Sequence, residues 1–197
     1  MAARPAVPAQ RLRIIGGQWR GRRIAITTAA AIRPTPDRVR ETLFNWLAPR
    51  LAGARCLDLF AGTGALGLEA LSRGAQHATF IERDGAAAQA LRDTLAVLAC
   101  TEARVCHGGA LARMRQLETG FDVVFIDPPF ATDLHLHLAA LAASRPLLKP
   151  DARVYLEYPW PQAAALGAAL APDWRRLRHK RAGRVGYDLL TLSEYEP

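Results

Sequence analysis

From residue 55 onward, short apolar segments alternate with longer helical segments, and this alternation limits the possible folds more than any other feature. Five apolar runs predict strands at 55–60, 77–82, 103–107, 121–126 and 153–158. A helical pattern follows each strand, the first ending near residue 73 and the others at 84–99, 111–117, 134–144 and 162–170. Such alternation is typical of a parallel, doubly wound α/β sheet, whose right-handed crossovers bring the loops after the strands to one edge.

Two further segments flank this repeat. Near the C-terminus, strands predicted at 174–180 and 185–192 are joined by a short basic turn, which indicates an antiparallel hairpin at a sheet edge. Near the N-terminus, residues 11–26 predict a basic β-hairpin, and Thr35 and Pro36 predict the N-cap and first position of a helix. We therefore expect three parts: a disordered tail, a hairpin with a helix, and an α/β domain, at 1–10, 11–53 and 54–197.

The charge of the chain is unevenly distributed. The net charge is +8, and residues 1–55 carry eleven basic side chains against two acidic ones. Residues 56–172 carry nine against twelve, and residues 173–197 carry six against four. Basic segments on both sides of an acidic middle suggest contact with a polyanion, although a GC-rich genome would also enrich arginine.

Cysteine usage and hydropathy restrict the compartment. Cys56, Cys100 and Cys106 have neither the spacing of a zinc site nor that of a disulfide framework. The N-terminus lacks the apolar core of a signal peptide, and no uncharged apolar run is long enough to cross a membrane. We expect a cytoplasmic protein with reduced thiols, no metal and no membrane contact, and we expect a monomer.

The first chemical motif is the glycine-rich segment LDLFAGTGALG that follows the first predicted strand. Gly62, Gly64 and Gly67 have the G-x-G-x-x-G spacing, and Glu82 comes 20 residues after Gly62, at the end of the next strand. Glycines let the backbone approach a ligand, and a carboxylate at that strand end accepts hydrogen bonds from ribose hydroxyls. Taken alone, this pattern also fits an NAD-binding fold.

The carboxylate at the end of the first predicted strand favours S-adenosylmethionine as the ligand. A carboxylate at Asp58 would repel a pyrophosphate, whereas S-adenosylmethionine has no phosphate and carries a sulfonium and an ammonium group. Alternatively, Asp58 caps backbone N–H groups of the loop. At the third strand end, Gly109 stands where methyltransferases of this pattern usually have an acidic residue. The chain departs from the pattern there, which leaves the backbone of Gly109 and Ala110 to hold the adenine ring. The same loops add three candidate pocket residues: Phe60, Ala61 and Arg83.

The second motif is Asp127-Pro128-Pro129-Phe130, directly after the fourth predicted strand. Neither proline can continue a ladder or enter a helix interior, so the strand ends in a rigid turn. The exocyclic amine of guanine or adenine is a poor nucleophile. The Asp127 carboxylate and the Pro128 carbonyl can accept its two N–H bonds and hold its nitrogen in line with a sulfonium methyl group. Phe130 offers a ring face for an extruded base. The alternative is a structural turn with a surface Asp and a core Phe.

With these motifs the chain resembles the RsmD-type 16S ribosomal RNA guanine-N2 methyltransferases from about residue 13 to its end. The matching segments are RIIGGQWRGRRI, RPTPDRVRETLFNWL, LDLFAGTGALGLEALSRGA, the acidic end of the second strand and FDVVFIDPPF. The resemblance implies a class I methyltransferase fold: a Rossmann-like α/β sheet of seven strands, mostly parallel, with an antiparallel edge hairpin and an N-terminal β-hairpin and helix. It also implies S-adenosyl-L-methionine as donor and a guanine of 16S rRNA in the small (30S) ribosomal subunit as acceptor. Residues 127–130 would then form the base pocket, and Asp58, Gly62, Gly64 and Glu82 the donor pocket.

Arginines crowd the predicted N-terminal hairpin around Trp19, and arginines interleaved with an aromatic residue suit phosphate contact and base stacking. The candidate RNA-binding residues are Arg13, Trp19, Arg20, Arg22, Arg23, Arg33 and Arg38. Arg33, Arg38 and Arg40 are expected at the mouth of the site. The alternatives are a solvated hairpin with Trp19 packed on the body, and ordinary helix salt bridges within 37–41. The basic segment 175–184 predicts either an RNA-facing hairpin or a charged edge that prevents aggregation.

Three other functions fit part of the pattern. The Asp-Pro-Pro-aromatic motif also occurs in adenine-N6 methyltransferases that act on RNA or DNA. The glycine loop also occurs in NAD-dependent oxidoreductases, and the charge pattern alone fits a non-catalytic RNA-binding or assembly factor. The two motifs together favour a methyltransferase that modifies a guanine of ribosomal RNA.

Overall fold

The computed structural model of the protein describes residues 11–25, 35–117, 120–129, 132–170 and 173–193. The predicted tail at 1–10 and the candidate site residues Arg33 and Phe130 lie outside the described residues. The helices are α1 (Asp37–Leu51), α2 (Ala65–Ser72), α3 (Gly85–Val97), α4 (Ala110–Met114), α5 (Leu134–Ala143) and α6 (Ala163–Leu170). The strands are β1 (Arg11–Arg13), β2 (Arg23–Ala25), β3 (Arg55–Asp58), β4 (His77–Glu82), β5 (Ala103–His107), β6 (Phe121–Ile126), β7 (Leu148–Pro159), β8 (Trp174–Ala182) and β9 (Val185–Leu192).

The predicted α/β fold is confirmed. A seven-stranded sheet has the order β5-β4-β3-β6-β7-β9-β8, and β1 and β2 form a separate antiparallel pair. Strands β3 to β7 pair in parallel, while β9 is antiparallel to both β7 and β8, so the late hairpin lies at one edge. Because β3 to β6 are joined by helices, the loops after their carboxyl ends share one edge of the sheet. Within the described residues, no helix is long and apolar enough to span a membrane.

The N-terminal hairpin and α1 are packed into the core on one face of the sheet. Leu12, Ile14 and Trp19 belong to the same buried cluster as Phe44 of α1 and Phe125 of β6. The opposite face is covered by α4, α5 and α6, which pack against a second buried cluster. Both faces of the central strands are therefore apolar, as expected for parallel strands between helical layers.

The predicted start of α1 is wrong by one residue. Pro36 occupies the N-cap position and no side chain caps the helix. Thr35 is buried, and its hydroxyl donates a hydrogen bond to Asp127 at 2.7 Å instead of accepting one from the first turn of α1. The Thr35 hydroxyl bonds to Asp127 and does not cap α1, because Asp127 offers a carboxylate acceptor at the end of a neighbouring strand.

Candidate functional site

The glycine loop connects β3 to α2 through a tight turn at the carboxyl edge of the sheet. Gly64 has a left-handed backbone (φ 75°) and directly precedes α2. A Cβ at Gly64 would lie 2.5 Å from Leu91 Cδ1, and a Cβ at Gly67 would lie 2.2 Å from Phe80 Cε1. Gly64 is therefore favoured by the left-handed turn, and Gly67 by the close approach of α2 to the Phe80 ring.

Glu82, at the end of β4, contacts the glycine loop directly. Its Oε2 accepts a hydrogen bond from the Gly62 N–H and its Oε1 accepts one from the Asp84 N–H, both at 2.7 Å. Each carboxylate oxygen keeps a second lone pair. The predicted ribose-binding carboxylate thus lies beside the predicted donor loop, and its role in ribose binding remains a prediction.

Asp58, the last residue of β3, lies beneath the loop. Its side chain is buried and accepts a hydrogen bond from the Gly67 N–H at 3.2 Å, as expected for a loop-capping carboxylate. Burial raises the pKa of Asp58 to about 7, opposed by that hydrogen bond, and the charges of Asp127 and Glu82 raise it further. A cation bound at this edge would lower the pKa again. A donor-facing role for Asp58 remains a prediction.

The remaining predicted donor residues lie in the loops at the same edge. Ala61 is buried and donates its N–H to the Ile81 carbonyl, and the half-buried Phe60 ring lies 5.1 Å from the His137 ring. Gly109 is exposed and precedes α4, and Ala110 begins that helix. Arg83 is exposed. The ends of β3, β4 and β5 therefore bring all the predicted donor residues to one edge, although no ligand contact tests their individual roles.

The Asp-Pro-Pro segment adjoins the glycine loop. Strand β6 pairs with β3, with Phe125 opposite Asp58, and the Leu59 N–H donates to the Phe125 carbonyl at 3.1 Å. Asp127 follows two residues after Phe125. Pro128 is buried and Pro129 is exposed. The two predicted pockets are thus neighbours. Phe130 lies outside the described residues, and the base pocket remains a prediction.

Thr35 holds one oxygen of the Asp127 carboxylate. The Thr35 hydroxyl donates to Oδ2 of Asp127, and the Thr35 carbonyl accepts a hydrogen bond from Arg40 Nε at 3.2 Å. Within the described part of the chain, Oδ1 of Asp127 has no hydrogen-bond donor. The carboxylate is therefore oriented by Thr35 and presents its other oxygen for a further N–H group.

A second carboxyl group, on Glu157, lies beside Asp127. Glu157 directly follows Leu156, which pairs with Ile126, and it accepts a hydrogen bond from Tyr155 Oη at 2.8 Å. Burial raises the pKa of Asp127 to about 6, opposed by the Thr35 hydrogen bond. Burial and the charge of Asp127 raise the pKa of Glu157 to about 8. The charge of Asp127 therefore disfavours ionisation of the neighbouring Glu157.

Arg40 was predicted to lie at the mouth of the site, and this prediction is wrong: its side chain is buried beside Glu69. Arg40 is 1% exposed and donates to the Arg13 carbonyl and to Asp37, which gives the expected salt bridge at the start of α1. Glu69 accepts hydrogen bonds from the N–H groups of Ile15 and Gly16, both at 2.8 Å, and pairs with Arg40 at 3.5 Å. This ion cluster joins the hairpin, α1 and α2 to the backbone of Thr35.

The prediction that Trp19 stacks on RNA is wrong. Its side chain is 7% exposed and packs in the core, and the backbone N–H of Trp19 donates to Ser72 Oγ at 3.0 Å. The hairpin turn thereby rests on the C-terminal end of α2, and Gly74, just beyond that end, accepts a hydrogen bond from Gly53 near the start of β3. The turn therefore lies toward the edge of the sheet away from the glycine loop.

The predicted arginines of this region are exposed. They are Arg13, Arg20, Arg22, Arg23 and Arg38. Arg20 and Arg22 belong to the hairpin turn, whereas Arg38 lies in the first turn of α1, three residues after Thr35. An RNA contact by any of them remains a prediction.

A family model described as Conserved hypothetical protein 95 matches residues 12–191 of the chain. The chain belongs to this family, the RsmD family. The RsmD match confirms the resemblance drawn from the motifs, and it extends from the N-terminal hairpin through the glycine loop and the Asp-Pro-Pro segment to β9.

Similar proteins carry methyltransferase names. Ribosomal RNA small subunit methyltransferase D of Escherichia coli K12 is 46% identical over 179 residues, which cover 90% of this chain and 88% of the relative. The protein of the same name from Haemophilus influenzae is 41% identical over 183 residues, covering 90% and 92%. The solved structure of the methyltransferase yhhF from Escherichia coli has a TM-score of 0.80 and 43% identity, covering 92% and 97%. These matches to members of the RsmD family cover about nine tenths of the chain.

Proposed function

We propose that this protein transfers a methyl group from S-adenosylmethionine to the exocyclic N2 of a guanine in the 16S rRNA of the small ribosomal subunit. One observation carries the proposal: the Asp127-Pro128 corner lies beside the glycine loop, with one Asp127 oxygen held by Thr35. The rRNA acceptor is supported by the names of the RsmD relatives from Escherichia coli and Haemophilus influenzae.

The charges of the loop edge fit a cationic donor. Glu82 and Asp127 lie close enough to Asp58 for their charges to raise its pKa. Three carboxyl groups favour the sulfonium and ammonium groups of S-adenosylmethionine and disfavour the pyrophosphate of NAD. Glu82 would accept the ribose hydroxyls, and the backbone of Gly109 and Ala110 would contact the adenine. When bound, the donor supplies an electrophilic methyl group.

The acceptor amine would be held by Asp127 and Pro128. Oδ1 of Asp127 and the carbonyl of Pro128 accept the two N–H bonds, so that the nitrogen lone pair points at the methyl carbon. As the N–C bond forms and the C–S bond breaks, positive charge grows on the nitrogen, and the ionised Asp127 carboxylate stabilises it. The methylated nitrogen then gives its extra proton to Asp127, whose pKa of about 6 allows it to pass the proton to water.

Two assays test the proposal. Equilibrium titration should give binding of S-adenosylmethionine and none of NAD; the opposite result would eliminate a methyltransferase. Small subunits from cells lacking this modification, incubated with tritiated donor, should carry the label in their RNA. Label confined to ribosomal protein, or no transfer to either fraction, would contradict an RNA acceptor.

The substitution Gly64→Ala should weaken donor binding by about tenfold or more, because its Cβ would meet Leu91 while the left-handed backbone is strained. Isothermal titration with S-adenosylmethionine measures the effect. Gly53→Ala is the matched control: Gly53 has a similar φ of 73°, but its Cβ would meet no atom within 4 Å. Equal donor affinity in both variants would show that the Gly64 turn is not part of the donor pocket.

The rate of methyl transfer should fall as the pH drops through about 6, because protonated Asp127 no longer accepts a second N–H bond. Thr35→Val removes the hydrogen bond that lowers the pKa of Asp127, so the acidic limb should move to higher pH. Thr35→Ser keeps the hydroxyl and should restore the limb. The measurement is kcat/KM for subunits against pH, which reports the pKa of Asp127 in the free protein. An unshifted limb in Thr35→Val would contradict the positioning role of Thr35.

A further inference from the structure

The turn of the C-terminal hairpin lies at the same sheet edge as Asp127. Strand β7 runs parallel to β6, so its carboxyl end, Pro159, lies at the edge where Asp127 lies. Val185, the first residue of β9, pairs with both Pro159 and Ala182, the last residue of β8. The turn between β8 and β9 therefore lies at the same end of the sheet as Asp127. It is two to three strands away from Asp127, or about 10–15 Å at the usual strand spacing. The N-terminal hairpin has its turn toward the opposite edge.

This turn carries exposed basic side chains around one tryptophan. Trp160 follows β7, and its backbone N–H donates to the Arg184 carbonyl at 2.8 Å. The guanidinium of Arg181 lies 4.7 Å from the centre of the Trp160 ring, and the His179 ring is stacked on it at 5.6 Å and 28°. Arg181 and Arg184 are exposed, and Trp160 is half-buried. Cations beside an aromatic ring suit both phosphate contact and stacking of an unpaired base.

Buried side chains hold this arrangement in place. Asp188 on β9 has no exposed side-chain surface and lies 2.5 Å from Nδ1 of His179 and 2.8 Å from Nε of Arg176. Tyr158 Oη donates to Asp188 at 3.1 Å. A strand that is charged only to prevent aggregation needs exposed charges and no anchored stack. The buried anchor therefore favours a binding surface over simple edge protection.

We propose that Trp160, His179, Arg181 and Arg184 form a second RNA-contact surface, which binds the nucleotides next to the target guanine while that base is held at Asp127. This inference rests on the proposed function. RNA is the partner favoured by the observations because the turn is basic, carries a stacked aromatic residue and lies at the edge where an extruded base must enter. Phosphates bind Arg181 and Arg184, and an unpaired base stacks on the assembly of the Trp160, His179 and Arg181 side chains.

The double variant Arg181→Gln/Arg184→Gln tests the surface. Its KM for small subunits should rise by about tenfold with donor affinity and kcat unchanged, and log KM should depend on log salt less steeply by about 1.5, for two lost phosphate contacts. The matched control is Arg92→Gln/Arg104→Gln. It removes two exposed arginines on α3 and β5, on the side of the sheet farthest from β8. A KM and salt slope equal to those of the control would overturn the proposal.

Two further measurements separate the outcomes. Binding of the double variant to protein-free 16S rRNA should also weaken; weaker binding to subunits alone would mean that the surface contacts ribosomal protein, which overturns an RNA partner. Trp160→Ala should raise KM and Trp160→Phe should recover part of the loss, because phenylalanine keeps a stacking face. If the wild-type protein itself transfers no methyl group to subunits, the proposed function fails. If it does and the variants match the control, only the second surface fails.

Discussion

Replacing Asp127 by asparagine lowers kcat for methyl transfer by about 10²–10³-fold, the usual loss when one preorganised electrostatic group is removed. Asparagine keeps the shape of the side chain and an oxygen for the Thr35 hydroxyl, but it lacks the negative charge opposite the nitrogen. KM for the donor should change little, because Asp58 and Glu82 remain. Single-turnover assays with labelled donor and small subunits measure the effect.

The fold should survive this substitution. Folding raises the pKa of Asp127 to about 6, so its ionised form is less favourable in the folded protein, and its contribution to stability falls as the pH rises through the window that ends near 6. Removing the charge should therefore leave the unfolding temperature at pH 7 unchanged or higher. Asp151→Asn, at an exposed carboxylate, is the matched control and should retain full activity. Full activity of Asp127→Asn would remove Asp127 from the reaction.

Replacing Glu69 by alanine lowers the free energy of unfolding by about 3–5 kcal/mol, because it leaves a buried guanidinium short of its partner. Arg40 is 1% exposed and would retain only Asp37 as a carboxylate partner. The N–H groups of Ile15 and Gly16 would also lose their acceptor. Urea unfolding followed by circular dichroism measures the change.

Two comparisons identify the cause of this destabilisation. Asp151→Asn removes a partner of Arg50 from an exposed ion pair and should cost at most about 0.5 kcal/mol. Adding Arg40→Met to Glu69→Ala should recover part of the loss, since the fully buried guanidinium is then removed and only the 21% exposed Arg73 has lost its carboxylate partner. A Glu69→Ala protein within about 1 kcal/mol of the wild type would show that the cluster of Arg40 and Glu69 does not secure the hairpin.

The neighbouring pockets could be predicted because they depend on local patterns and on strand order. Glycine spacing marks the end of β3, and the proline pair marks the end of β6. Parallel alternation brings both ends to one edge, and the pairing of Asp58 with Phe125 makes them adjacent. Glu82 was predictable for the same reason, because its strand is the next one along the chain.

The contacts of the N-terminal segment could not be predicted from local rules. Thr35 lies 92 residues from Asp127, and a helix-capping rule considers only the residues beside it. Trp19 is buried because of how the hairpin packs against Ser72, which the arginines around it do not reveal. One feature of the sequence indicated that Arg40 could be buried. Glu69 lies within the apolar run ALGLEAL, and a carboxylate buried there needs a cation as its partner. Glu157 was not predicted as a site residue. The alternation along β7 places it on the same face as Tyr155, and this was the one signal that it could be buried.

The identity and position of the methylated nucleotide test the proposed function most directly. Small subunits from cells lacking this modification are treated with the protein and S-adenosylmethionine, and the RNA is digested and analysed by mass spectrometry. We expect N2-methylguanosine at a single position of 16S rRNA. Methylated adenosine with unmodified guanosine would instead indicate the adenine-N6 chemistry that an Asp-Pro-Pro corner also supports, and would contradict a guanine acceptor.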